Sequence, residues 1–532
     1  MSENRDIPDV CIIGAGLAGG IMAYELASRG VKVVILEAGP RYDPNTRFSS
    51  MEKYVLNGKY PWLSDNPERD VYTNAGEIDY PLNASRLKAV GGSTLHWGGG
   101  AIRRHNTDFK MKSLYSLADD WPISYEEIEP YYGKAEIALG VAGIADNPFA
   151  SYRSTDFPLP PFPFNYGDRV MKKGCDKVGI VMHHASWARN SIPYQNRPAC
   201  QAFATCGIHI CPIVAQYTSE VHIRLAEKTG NAEIIPNANV LRINVDKSRR
   251  VISVTYAKPD KTEYEQRARV FVLAAHAVES SRLLLLSKSD QFPDGLANSS
   301  GMVGKNFMEN IYVWVEAKLK ERVFPYRIGF HTAESHQFCA PKKRDEMAAF
   351  KIEFENNVGP KPLDIASDTG NWGTALEKEV RESFGWFVAI NAELEQLPDE
   401  KNSITLDPMV KDYFGNPAPR ITYSISNYEK EGAKRAVDII EKIFDALEVA
   451  EIIHGGTEAK KDFSFGWHHM GTCRMGTNPE RSVVDPNLRT HDVDNLFIVG
   501  SSVFVTGGPV QPSLTIAALA IRAAEYISKK IR

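Results

Sequence analysis

Cysteine is scarce in this chain. There are seven in 532 residues, an odd number. That argues against a disulfide framework and for reduced thiols or a metal site. Long apolar runs are missing too. No stretch approaches the roughly 18 uninterrupted apolar residues that span a bilayer, so any membrane link is expected to come through a partner. Charge of one sign is not in excess: 62 Lys and Arg face 66 Asp and Glu, a net of −4. With no long basic run, a nucleic-acid partner is not expected. The opening, MSENRDIPDVCIIGAG, has no basic segment followed by an apolar one, so no signal peptide is expected on the chain itself. What is present is an ordinary globular composition, 43% hydrophobic and 24% charged. The length implies two or more joined domains.

Val10 to Ile13 is a short apolar run. It is followed by GAGLAGG and then IMAYELASRG, whose apolar residues recur at helical spacing until Gly30. A second buried strand follows, Val31 to Leu36, giving a βαβ opening. Gly14, Gly16 and Gly19 form G-x-G-x-x-G between strand and helix. One glycine permits the tight turn, one lets the backbone approach a pyrophosphate, and one lets helix and strand pack closely. The helix N-terminus offers free N–H groups and a positive dipole end. Glu37 ends the second strand, where an acid binds a ribose hydroxyl. The rival reading is a glycine-rich turn with no ligand; strand, helix and acid together weigh against it. The spacing leaves FAD and NAD open. The acid argues against a 2′-phosphate, hence against NADP.

Residues 40–85 read as polar, aromatic and irregular. KAVGGSTLHWGGGAIRR is a glycine-rich loop, and FPLPPFPFN (Phe157 to Asn165) reads as a surface boundary or linker. Residues 220–285 return to α/β texture. Residues 305–455 read as an antiparallel sheet with helices, including EKEGAKRAVDIIEKIFDAL, and the final seventy residues read as strand, turn and helix. Three of the seven cysteines crowd into RPACQAFATCGIHICP. Cys200, Cys206 and Cys211 follow C-x5-C-x4-C. Soft thiolates this close suit iron–sulfur ligation. Zinc on three Cys and one His, with His209 between the thiols, and three free thiols are the alternatives. Cys11, Cys175, Cys339 and Cys473 are isolated and read as packing residues.

GWHHMGTCRMG (Gly466 to Gly476) and the later NLFIVGSSVFVTGGPVQPSLTIAALAIRAAEYI resemble the glucose–methanol–choline (GMC) oxidoreductases, FAD enzymes that oxidise alcohols and sugars. The likeness spans essentially the whole chain. Within that family it is narrowest to the catalytic flavoprotein subunit of bacterial membrane-bound sugar dehydrogenases, the gluconate, sorbitol, fructose and FAD-dependent glucose dehydrogenases. There a run ending in Cys-Pro-Ile, as at Cys211, Pro212 and Ile213 here, holds an iron–sulfur cluster.

The resemblance implies an α/β chain, α+β overall. A Rossmann-like FAD domain would be built from 1–110, 215–310 and 456–532. A substrate domain, an antiparallel sheet flanked by helices, would come from 111–214 and 311–455, with the cysteine loop 197–214 near the junction. It implies His468, in His-x-x-Gly-Thr, as the base beside flavin N5; an imidazole titrates near working pH. A buried structural histidine is the alternative, and His469 is given a structural role. Gln511 stands where relatives carry His or Asn, a departure that bears on the substrate. Pro512 would start a helix aimed at the flavin. Gly500, Ser501 and Ser502 would contact the pyrophosphate or ribityl chain. Gly91 and Gly92 would permit close approach, and Ser93 would bond the flavin. His96 stands where some members attach FAD covalently; attachment and simple packing both stay open. Cys200, Cys206 and Cys211 would hold a 3Fe-4S cluster. The implied activity is oxidation of a sugar or polyol hydroxyl, with electrons leaving to a cytochrome or quinone. The implied partners are a small signal-bearing subunit and a cytochrome c subunit, at the periplasmic face of the inner membrane; a cytoplasmic enzyme fits the sequence equally. An oxidase using oxygen and a non-catalytic flavin scaffold with structural zinc are the competing functions.

Overall fold

The computed structural model of the protein describes residues 7–57, 68–203, 205–206, 211–326, 328–454 and 463–531. His209, weighed above as a ligand, lies outside them.

The βαβ opening is β1 (Val10–Ile13), α1 (Leu17–Ala27) and β2 (Val33–Leu36). β1 and β2 run parallel, Val10 opposite Val33 and Ile13 opposite Leu36. Both strands are buried throughout, as a parallel sheet covered on both faces requires. β3 (Ala232–Ile235) extends the sheet beyond β2; β4 (Val270–Leu273) pairs with β1 on the other side, and Leu496–Ile498 closes that edge. Helix α1 is small and apolar on nearly every side, so it is buried between neighbours. It packs against the helices Glu220–Lys228 and Ser513–Ile531.

After α2 (Ala277–Leu286), a second sheet forms from β5 (Ile311–Lys318), β6 (His331–Ser335), β7 (Phe350–Glu355) and β8 (Phe387–Leu394). These four strands run antiparallel in the order β5–β8–β7–β6. Their alternation separates two faces. Val313 and Val315 of β5, Ile352 and Phe354 of β7, and Ile390 and Ala392 of β8 join a core under α3 (Asn427–Leu447). Tyr312 and Trp314, Lys351, Glu353 and Glu355, and Asn391 and Glu393 take the other face. The register sets Tyr312 opposite Glu393, Lys351 opposite Glu393, and Glu353 opposite Asn391.

Two local expectations are corrected. The stretch 157–165 is not a surface linker. Leu159 and Phe162 are buried in a small cluster with Ala142, Ala185 and Trp187, because prolines fix an extended path without preventing the intervening apolar side chains from packing. Residues 40–85 are not wholly irregular either, since Arg47–Asn57 forms a helix.

Candidate functional site

One cavity of about 970 Å³ runs from the C-terminal edge of the parallel sheet to the polar face of the antiparallel sheet. Open α/β sheets bind ligands outside the carboxyl ends of their strands, and this cavity begins there.

At that end the three fingerprint glycines meet three different demands. Gly14 has φ +103, and an added Cβ would lie 2.5 Å from Ala274 O. A Cβ on Gly19 would lie 1.9 Å from Gly14 O, so this glycine lets α1 sit on β1. Nothing in the protein itself requires a glycine at 16. Its φ is −73, and an added Cβ would meet no atom within 4 Å. Gly16 caps α1 with no side-chain cap, and Gly16, Leu17 and Ala18 line the cavity, leaving first-turn N–H groups for an anion. The room beside Gly16 and these donors fit a dinucleotide pyrophosphate. Gly16→Val is therefore expected to fold but to purify with little flavin; the ratio of flavin to protein absorbance checks this.

Glu37 also lines the cavity. Its carboxylate accepts from Ala15 N at 2.9 Å and Gly39 N at 2.8 Å. Burial pushes its pKa up to about 7, against the pull of those two N–H groups and of Lys88 and Arg69. Gly91, at φ +108, donates its N–H to Ala15 O. Gly92 lies against Gly16, where an added Cβ would stand 2.9 Å from Gly16 Cα. Gly92, Ser93 and His96 line the cavity, as do Gly500, Ser501 and Pro512; Gly19, Gly91 and Ser502 stand behind it. Ser502 is buried, its carbonyl accepting from Cys473 N.

At the other end stand His468 and Gln511, both on the cavity wall. His468 N donates to Glu309, and His468 Nδ1 lies 3.1 Å from Asn310 Oδ1 and 3.0 Å from Glu393 Oε1. With Asn310 Oδ1 accepting at Nδ1 and the Glu393 carboxylate beside it, the ring carries its proton there, and Nε2 is left as a base for the cavity. Burial raises Glu309 to about 7, offset by His468, Tyr80 and two backbone N–H groups. The adjacent His469 is tied on both ring nitrogens, to Tyr80 OH and to His276 Nε2, each at 2.7 Å. Burial holds its pKa well below the ordinary value, with His276 adding to the effect. Gln511 Nε2 donates to Glu353 Oε1 at 3.0 Å, and its Oε1 has no hydrogen-bond partner among the described residues.

Sequence reasoning missed what holds His468. Glu309, Asn310 and Glu393 lie some 75–160 positions away, and no local motif marks them. Glu393→Gln is expected to lower kcat about tenfold with KM little changed, because the amide weakens the hold on Nδ1; steady-state kinetics separates the two constants.

The cysteine loop abuts the cavity wall. Gln216 N donates to Cys211 Sγ at 3.5 Å, and Gln216 Nε2 donates to Trp97 O. Ala202 N donates to Cys200 Sγ at 3.4 Å, and Gly329 N–H supports Cys206. Burial pushes the Cys206 thiol up, opposed by Arg189, and Cys200 and Cys211 are close enough to add to the rise. Arg47 and Arg197 lie within electrostatic reach of Cys211. Arg47, Arg189 and Arg197 are all buried, and each has guanidinium N–H atoms with no partner among the described residues. Among the described residues, the clusters whose donor atoms all fall within 4.8 Å are His105, His336 and Cys339, and His331, Glu353 and Glu355. The four isolated cysteines are buried.

Comparison with known proteins bears on all of this. Models of the GMC oxidoreductases match residues 76–311 and 398–520, and a model of FAD dependent oxidoreductases matches 9–142. The chain is 33% identical over its whole length to the complete fructose dehydrogenase large subunit of Gluconobacter japonicus. It is 31% identical, again over its whole length and 97% of the relative, to 2-methyl-1,2-propanediol dehydrogenase of Mycolicibacterium austroafricanum. Among solved structures, pyridoxine 4-oxidase from Mesorbium loti shares the fold. Its TM-score is 0.67 at 17% identity, covering 98% of this chain and 99% of that one.

Proposed function

The chain belongs to the GMC oxidoreductases, and from that premise we propose that it oxidises a sugar hydroxyl and exports the electrons through an iron–sulfur cluster on Cys200, Cys206 and Cys211. It is an FAD-dependent enzyme acting on the CH–OH group of a sugar or alcohol. His468 Nε2 takes the hydroxyl proton, while Gly14, Gly16, Glu37 and Gly92 at the other end of the cavity would hold FAD, which when bound would supply the acceptor for the hydride and its electron pair. Asn310 and Glu393 hold the protonated imidazole, and Gln511 Oε1 accepts from a substrate hydroxyl.

The arginine collar carries the electron-export reading. Three buried guanidiniums with unpartnered N–H atoms around three neutral thiols would be costly. Around thiolates holding an anionic cluster they are balanced. The backbone N–H donated to each sulfur favours the thiolate in the same direction. Tetrahedral zinc at about 2.3 Å from each sulfur would need the sulfurs roughly 3.8 Å apart. The three sulfurs do not form a set within 4.8 Å among the described residues, a spacing wider than that zinc tetrahedron. Gln216, whose N–H donates to Cys211, and Arg189, beside Cys206, donate to Trp97 O and Gly98 O, so the cysteines and the cavity wall are joined through shared partners. The fructose dehydrogenase relative is named as a large subunit. A small signal-bearing subunit and a cytochrome c subunit, at the periplasmic face of the inner membrane, complete the proposal.

Iron and acid-labile sulfide analysis with an EPR spectrum tests it. About three irons per flavin and a three-iron signal are expected, with most of the iron lost in Arg189→Met. Iron-free protein from an anaerobic preparation, forming peroxide rapidly with sugar, would replace this reading with an oxidase.

A further inference from the structure

The substrate end of the cavity carries an asymmetry that oxidation of a CH–OH group does not require. Glu353 and Glu355 line it together with His331, Asn391 and Gln511. Every cation beside them is already engaged. Lys351 is fully buried among Glu334, Glu353 and Glu393. His331 lies 2.8 Å from Glu334 and 3.5 Å from Glu355. The amide donors are engaged as well: Asn391 Nδ2 donates to Glu355 Oε1, and Gln511 Nε2 donates to Glu353 Oε1, each at 3.0 Å. Acceptors dominate what remains for a ligand, the donors left on these groups being His331 Nδ1, 3.5 Å from Glu355 without a hydrogen bond, and the second hydrogen of each amide. Gln511 is 9% exposed, and its Oε1 has no partner among the described residues. The carboxylate oxygens not used by these donors share the wall. Arg86, Lys88 and Arg282 line the same cavity but at its nucleotide end, held by Glu279, Asp70 and Asp412.

We propose that Glu353, Glu355 and Gln511 form a specificity wall that takes a polyol bearing no negative charge and rejects sugar acids. The proposal rests on the reading of the chain as a CH–OH oxidoreductase and adds which substrates that site admits. A polyol hydroxyl donates to each of these acceptors. The carboxylate of a sugar acid has no proton to donate, meets like charge, and finds no free cation. An ammonium in the same position donates three hydrogens and gains from the charge. Glu353 and Glu355 come from strand β7, and neither they nor Gln511 is among the groups that hold His468, so selection and chemistry are separable.

The test uses the full-length holoenzyme with matched triads of a polyol, its aldonate and its 1-amino-1-deoxy analogue, such as sorbitol, gluconate and 1-amino-1-deoxysorbitol, across pentose and hexose series. kcat/KM is measured with an artificial acceptor. Because Trp187, Trp314 and Trp467 line the cavity, tryptophan fluorescence reads binding to the oxidised enzyme without turnover. Each aldonate is expected to fall about 100-fold below its polyol in both readouts, as like-charge juxtaposition implies, with the amine no worse than the polyol. Glu355→Gln and Glu353→Gln, each checked for full flavin content, are expected to narrow the gap about tenfold. Aldonates matching their polyols would overturn the wall while the oxidoreductase reading stands. So would amines rejected as strongly as aldonates, since the exclusion would then not be one of negative charge. Flavin that no member of the panel reduces would instead sink the reaction itself.

Discussion

His468→Ala is expected to slow flavin reduction by substrate by roughly 10²- to 10⁴-fold, the range a positioned general base supplies, while flavin content stays at the wild-type level. The geometry explains why the two readouts separate. Glu309 grips the His468 backbone N–H, which alanine retains. Only the ring contacts to Asn310 and Glu393 are lost, and the truncated side chain opens onto a cavity already there, so little packing is given up. The neighbouring residue supplies the contrast. His469 sits between Tyr80 and His276 and stacks on Phe307. His469→Ala leaves His276 Nε2 without its partner, while Tyr80 OH keeps Glu309, and is expected to cost stability in place of chemistry, by about 1–3 kcal/mol for an unsatisfied buried partner. Stopped-flow reduction and a denaturant midpoint on both variants settle the division. Rapid reduction in His468→Ala would remove it from the base role.

The features legible in the sequence are those in which one short segment carries the whole demand. The βαβ opening is one: strand, glycines, helix and Glu37 lie within 28 residues, Gly14 is needed by its own φ of +103, and Gly19 by its close approach to Gly14 O. The pair His468–His469 is another, marked by its motif. The acid wall was not legible. FKIEFE at β7 alternates apolar and charged residues as any half-solvated strand does. Whether Lys351, Glu353 and Glu355 meet water or a cavity depends on what the sheet faces, and that is fixed by residues more than a hundred positions distant, such as Gln511. The arginine collar is hidden for the same reason. Arg189 and Arg197 closely precede the cysteines in sequence, but Arg47 comes from about 150 positions away, and nothing local marks the three guanidiniums as buried around the thiols. Leu159 and Phe162 failed the linker expectation because proline content describes backbone stiffness and says nothing of where an intervening side chain points.

Lys351→Met carries the largest expected stability loss, about 3–5 kcal/mol, the range for breaking a buried ion network by removing one partner. That is a large share of a total of about 5–15 kcal/mol. Methionine nearly fills the volume, so the loss is electrostatic and its pH dependence identifies it. Burial alone would pull the Lys351 amine down; Glu334, Glu353 and Glu393 overcome this and hold it well above its ordinary value. Burial alone would push Glu334 up; Lys351, helped by His331 and His336, holds it well below the usual carboxylate range. For the lysine, whose folded pKa is raised, the contribution is present below the unfolded value of about 10.4 and lost as pH rises through the folded one. For Glu334, whose folded pKa is depressed, it is present above the unfolded value of about 4.3 and lost as pH falls through the folded one. The wild-type network is therefore intact from roughly pH 5 to 10. Without Lys351, burial of Glu334 and Glu393 is opposed by less positive charge, so their carboxyls shift upward and the folded variant gains from protonation. The urea midpoint of Lys351→Met should thus trail the wild type most at pH 8 and close on it as pH falls to 5. A gap that stays constant across that interval would mean that the loss is one of packing, and that the carboxylates around Lys351 are not held as charges.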